Sequence, residues 1–196
     1  MKYFIILQML LSFSVYALTT GEKAPNFTLK GLNPKQDVSL SDFSGKLVVL
    51  EWLNYGCPFV KKHYESKNMQ MLQAKYSAQN VIWLSVISSA PGKQGHVDRA
   101  GALKDKNEYS SSANDILLDS DGKIGKLYGA KTTPHMFIIN KEGLLVYQGA
   151  IDDRPDTEKS SIPSAKNYIA AALDELMIGK KVTAHTTKAY GCSVKY

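Results

Sequence analysis

Apolar residues in this chain cluster into short, nearly continuous runs separated by polar helical stretches. Residues 47–53 (Leu-Val-Val-Leu-Glu-Trp-Leu) and 81–87 (Val-Ile-Trp-Leu-Ser-Val-Ile) have the length and β-branched character of strands covered on both faces. A helix is predicted over 60–76 between them, and a second, more polar one over 98–107. A third short strand, 116–118, is followed by the turn Asp119-Ser120-Asp121-Gly122 and a helix over 123–128. Residues 136–139 and 144–147 flank Asn140-Lys141-Glu142-Gly143 and read as a β-hairpin. A last amphipathic helix is expected over 163–177, opened by Pro163 and closed by Gly179. Upstream, 24–30 reads as an edge strand after Pro25, Val38-Ser39-Leu40 as its partner, and Ser41-Asp42 as the cap of one helical turn. Strand–helix–strand alternation ending in a hairpin and a helix predicts an α/β fold, a three-layer α/β/α sandwich around a central mixed sheet.

The termini divide the chain. Lys2, the apolar run 3–11 and Val15-Tyr16-Ala17 have the form of a secretory signal cut after Ala17, and the run is shorter than the roughly 20 residues that span a bilayer. Residues 1–17 are thus expected to be a signal peptide, 18–179 one domain, and 180–196 a polar tail. The protein is expected to be exported, periplasmic or secreted. Its net charge of +6 comes from lysines scattered among acidic residues, which points to a solvated basic surface. With no nucleic-acid-binding motif present, no nucleic acid partner is expected.

Export changes how the two cysteines are read, because in an oxidising compartment a pair usually means a disulfide, stable or exchangeable. A domain of this size has a core that supports the fold without a staple, which favours a working pair. Cys57 lies in Asn54-Tyr55-Gly56-Cys57-Pro58, where the 47–53 strand gives way to a helix. Pro58 suits the first helical position, so Cys57 falls at the cap, facing the positive end of the helix dipole, which favours thiolate. At ~100° per residue, Lys61 lies ~40° from Cys57 and Tyr64 ~20°, whereas His63 lies ~120° away. Lys61 is therefore the expected supporting charge. Cys192 stands in a second Tyr-Gly-Cys, and it either resolves an oxidised Cys57, within one chain or across a homodimer, forms a static bridge, or stays free.

Three further features bear on that site. Glu51 interrupts an otherwise apolar strand; it is either a buried carboxylate with a raised pKa that exchanges protons with the thiol, or a solvent-facing strand end. Thr133-Pro134 precedes a strand in which proline has no place, and a cis bond there is one reading. The cysteines with His63 and His135 are soft-metal ligand types but lack ligand spacing, so neither a metal nor a cofactor is expected. The acidic turn at 119–122 lacks the glutamate that a calcium loop needs at its twelfth position.

Together Phe43-Ser44-Gly45-Lys46-Leu47-Val48-Val49-Leu50, the Gly56-Cys57-Pro58 junction and Thr133-Pro134 resemble the thioredoxin-like redoxins, nearest to the alkyl hydroperoxide reductase/thiol-specific antioxidant branch. The resemblance runs from about Gly21 to Met177. It implies that Cys57 attacks a hydroperoxide or a protein disulfide, and that an external thiol reductant or Cys192 resolves the product. It also implies that Pro134 is cis and lies against Cys57, that Asn54, Pro58, Thr133 and Pro134 line a substrate groove, and that Glu51 moves protons. Three positions depart from the pattern, one of them Leu50 in place of a peroxiredoxin proline. Val60 replaces the second cysteine of thioredoxins, excluding a Cys-x-x-Cys mechanism, and Asn54 replaces the threonine or serine of peroxiredoxins. The rival readings are thiol–disulfide exchange without peroxidase activity, a copper carrier using Cys57, Cys192 and His135, and a binding module with a static bridge.

Overall fold

The computed structural model describes residues 18–196, so the expected signal segment 1–17 lies outside the described residues. Strand β1 (Thr28–Lys30) pairs antiparallel with β2 (Asp37–Ser39), as the polar-apolar pattern predicts. The helical turn that follows, Leu40–Phe43, is capped two positions before the expected Ser41. Its cap is Ser39, whose N–H donates to the Asp42 carboxylate at 2.9 Å.

Strand β3 (Val48–Trp52) is buried at every residue and occupies the middle of the fold. It runs parallel to β4 (Ile82–Ile87) and antiparallel to β7 (His135–Ile139). Strand β5 (Asp115–Leu118) extends the parallel part, and β8 (Leu145–Gly149) completes the hairpin with β7. The seven strands lie in the order β2-β1-β5-β4-β3-β7-β8, a mixed sheet.

Alternation along β3 builds two cores. Val49 and Leu53 pack on one face with Val60, Tyr64, Met69, Leu72, Ile169 and Leu173, while Val48, Leu50 and Trp52 pack on the other with Phe27, Tyr128 and Phe137. The first face is covered by α1 (Pro58–Glu65), α2 (Asn68–Ser77), α3 (Arg99–Glu108) and α5 (Tyr168–Met177), the second by α4 (Lys123–Tyr128) and the N-terminal segment. This is the expected three-layer α/β/α sandwich.

Two helices differ from expectation. The single helix expected over 60–76 is broken at Lys67, which takes a left-handed conformation at φ 64°. The Tyr64 carbonyl released by the break accepts from the Lys67 N–H at 3.1 Å and from the Gln70 side-chain amide at 2.9 Å. Pro163 does not open the last helix; it sits in a 3-10 segment, Lys159–Ser164. The helix α5 begins after Asn167, whose side-chain oxygen accepts the Ala170 N–H at 2.9 Å and makes the stronger start signal.

Residues 185–187 run along the edge of β8, and the tail then reaches the sheet end that carries the β3–α1 junction. The Gln148 N–H donates to the His185 carbonyl, and the Thr187 N–H donates back to Gln148. Farther on, β9 (Cys192–Ser193) pairs antiparallel with β6 (Thr132–Thr133), Cys192 opposite Thr133. Neither two-residue strand is long enough to show periodicity in the sequence.

Candidate active site

The turn that presents Cys57 is built by Asn54. Its side-chain oxygen accepts the Gly56 N–H at 2.9 Å, and its backbone carbonyl accepts the Cys57 N–H at 2.9 Å. Its amide donates to the Gln94 side-chain oxygen at 3.1 Å and to the Gln94 carbonyl at 3.4 Å. A Cβ at 56 would press on the Gln94 side-chain amide, which would have to shift away from Asn54 to admit it. Cys57 is the N-cap of α1 at φ −82° and ψ 127°, with Pro58 at the first helical position.

Across the turn, the Thr133–Pro134 peptide bond is cis. The Cys57 thiol donates to the Thr133 carbonyl oxygen at 3.0 Å, and its sulfur lies 2.6 Å from that of Cys192, although 135 positions separate them in sequence. Both cysteines are free thiols. The approach depends on Gly191: its φ of 140° lies in a region few side chains adopt, and a Cβ there would overlap the Thr133 carbonyl. The tail backbone consequently lies flat on the cis peptide. Cys57 is 0% exposed, whereas Cys192 is only partly buried. Burial first, and the Cys57 sulfur second, push the Cys192 thiol up to about 11.

Glu51 is the buried carboxylate of the two readings, at 0% exposure. It accepts from the Tyr64 hydroxyl at 3.0 Å, the Trp83 indole at 2.9 Å, the Ser85 hydroxyl at 3.1 Å and the Gln73 amide at 3.4 Å. Desolvation outweighs these donors and raises its pKa to about 7. Tyr64 carries the network toward the Cys57 turn, its ring 5.0 Å from that of Tyr55 in an edge-on contact.

A model of the AhpC/TSA family matches residues 20–148. The chain belongs to the AhpC/TSA family. The match contains Cys57, Thr133 and Pro134 and stops before the tail. Thiol-disulfide oxidoreductase ResA of Bacillus thuringiensis and of Bacillus cereus is 27% identical over 128 residues, 65% of this chain and 68% of the relative. An uncharacterized conserved protein of Geobacillus kaustophilus has a solved structure that superposes with a TM-score of 0.77 at 26% identity, covering 91% of this chain and 93% of its own. A candidate thiol:disulfide interchange protein DsbE of Chlorobium tepidum superposes with a TM-score of 0.54 at 28% identity, covering 67% and 85%. The fold of this AhpC/TSA protein is thioredoxin-like.

Within this redoxin, the sequence-derived site residues fall into two groups. Cys57, Cys192, Pro58, Thr133 and Pro134 meet at one place. Asn54 adjoins it, yet its amide is engaged with Gln94 rather than held out as a donor to a substrate. Lys61 is half-buried; Glu65, one turn along α1, is held below the usual carboxylate range mainly by Lys159 and only slightly by Lys61, and among the described residues no hydrogen bond joins the Lys61 ammonium to either sulfur. The enclosed cation is its neighbour Lys62, which donates to the Arg154 carbonyl at 2.8 Å and pairs with Asp156 at 3.0 Å. His63 accepts from the Asn68 amide and meets the Tyr190 hydroxyl, and His135 accepts the Lys131 N–H at 3.2 Å. Among the described residues, no three His, Cys, Asp or Glu side chains form a ligand cluster. Tyr190, which fastens the tail to Asp152, had one signal in the sequence, because Tyr190-Gly191-Cys192 repeats Tyr55-Gly56-Cys57; Asp152 had none.

Proposed function

We propose that this protein is an exported thiol–disulfide oxidoreductase in which Cys57 and Cys192 act as one redox pair. The observation that carries the reading is the 2.6 Å separation of the two sulfurs across the β6–β9 pairing. Relatives named as thiol-disulfide oxidoreductases support it, and the signal-like pattern of residues 1–17 supports export.

In the reducing direction, β9 lifts from Thr132–Thr133 and the Cys57 thiolate attacks one sulfur of a protein disulfide. A mixed disulfide forms and the other substrate sulfur leaves as a thiolate. The Cys192 thiolate then attacks Cys57 of the mixed disulfide, forming the Cys57–Cys192 bond and releasing the second substrate thiolate. An external thiol reductant returns the pair to dithiol. Pro58 starts α1 so that Cys57 stands at its N-terminus, Thr133 and Pro134 form the edge on which a substrate strand replaces β9, and Glu51 serves as a buried proton reservoir. The Lys61 charge lies at the rim. Disulfide substrates are favoured over peroxides because the Asn54 amide, at the position where peroxiredoxins carry a threonine or serine, is engaged by Gln94.

The test is insulin-disulfide reduction with glutathione as reductant. Cys57→Ser is expected to abolish it, and turnover surviving that change overturns the reading. Stopped-flow oxidation of Cys57 by hydrogen peroxide should be no faster than that of free cysteine; a much faster rate would instead establish a peroxidase.

A further inference from the structure

The tail is fastened on both sides of Cys192. Upstream, the Tyr190 hydroxyl donates to the buried Asp152 carboxylate, in a short hydrogen bond. The Asn68 amide donates to His63 Nδ1 at 2.8 Å, which leaves the ring proton on Nε2, 3.2 Å from the same Tyr190 hydroxyl oxygen. The Tyr190 ring is 5.8 Å from that of Phe59 in the first turn of α1 and 5.9 Å from the Lys62 ammonium. Downstream, the Val194 N–H donates to the Lys131 carbonyl at 3.1 Å, the Ala90 N–H to Lys195 at 2.8 Å, and the Tyr196 hydroxyl to the Ala130 carbonyl at 2.7 Å. Between these anchors Cys57 is 0% exposed and Cys192 retains solvent access. Lys195 places a positive charge near Cys192.

We propose that, in the oxidised protein, external thiols enter at Cys192 and not at Cys57, and that Tyr190 is the positioning residue that imposes this order. The proposal rests on the reading that the two cysteines cycle as a pair. It reverses the sense in which the helix-end cysteine would be the sulfur exposed to partners. The incoming thiol loses its proton to solvent, and its thiolate attacks Cys192 Sγ. The bond from the external sulfur to Cys192 forms as the Cys57–Cys192 bond breaks. Cys57 leaves as a thiolate at the helix N-terminus, is protonated by solvent, and as a thiol hydrogen-bonds to the Thr133 carbonyl. A second external thiol attacks the sulfur held on Cys192, releasing the external disulfide and the Cys192 thiolate, so two thiols are oxidised as one protein disulfide is reduced. Access sets this order, since Cys57 is enclosed and Cys192 keeps solvent exposure.

Rapid quench with peptide mapping tests this on the full-length processed protein. The protein is first oxidised with glutathione disulfide, and loss of both thiols as an intramolecular bridge is verified. Failure to form that bridge overturns the paired-cysteine function and this inference with it. The bridged protein is then mixed with excess glutathione, acid-quenched in milliseconds, and its free thiols alkylated. Glutathione on Cys192 with alkylated Cys57 is expected in about tenfold or greater excess at the earliest times. Glutathione on Cys57 with alkylated Cys192 overturns the order of entry while leaving the paired function intact. Tyr190→Phe keeps the ring but removes the bond to Asp152, and is expected to shift capping severalfold toward Cys57 without loss of the folded circular-dichroism signal. An unchanged capping ratio in that variant overturns the role of Tyr190.

Discussion

Glu51 shows how one side chain carries two opposing terms. Four neighbouring groups donate to its carboxylate, yet enclosure between the sheet and α1 raises its pKa from the ordinary 4.5 to about 7. A carboxyl raised on folding supports the fold fully below about pH 4.5, and that support is lost as pH rises through about 7. His63 and His135, both lowered to about 4 by burial, act in the opposite sense, and their support is lost as pH falls from 6.5 through about 4. Comparison with Glu51→Gln cancels the histidines. From about pH 4.5 to about pH 8, the stability of the wild type relative to that variant is expected to fall by on the order of 2–3 kcal/mol, measured by urea unfolding at each pH. The unusual position of Glu51 was legible as a charge in an apolar strand. Its partners were not, because Trp83, Ser85 and Gln73 come from other elements.

At the scale of elements, those with their own hydrophobic pattern were readable and those depending on a neighbour were not. Strands β3, β4, β7 and β8 show their burial in local runs of apolar residues. The break between α1 and α2 is invisible to such a pattern because both helices face one core and their apolar positions continue across it. Strand β9 is the extreme case, with two residues whose only reason to be extended is the Thr132–Thr133 edge beside them. Gly191 gives a direct test of that edge. Alanine there would overlap the Thr133 carbonyl and sit at an unfavourable φ of 140°. A strain of roughly 1–3 kcal/mol on the docked tail makes native-state alkylation of Cys57 by iodoacetamide about tenfold faster or more in Gly191→Ala. An unchanged rate would show that the tail does not guard the sulfur.

For the whole molecule, the tail ties the last residues of the chain to the first turn of α1. A bond between Cys57 and Cys192 closes a loop spanning 135 positions, and the native fold already holds the two sulfurs in contact. The oxidised protein is accordingly expected to be more stable than the reduced one by roughly 2–4 kcal/mol, seen as a higher midpoint in denaturant for the bridged form. Equal midpoints would mean that the native fold favours the bond no more than the unfolded chain does. The sequence by itself determined the α/β sandwich, the helix-end placement of Cys57 and the short list of residues around it, because alternation, capping and proline geometry act within a few residues of chain. Which cysteine faces solvent, that Lys62 and not Lys61 is the enclosed cation, and that Tyr190 and Asp152 fasten the tail were decided only in the tertiary structure. Those outcomes depend on contacts between segments far apart along the chain, and local pattern carries no record of which distant backbone will lie alongside.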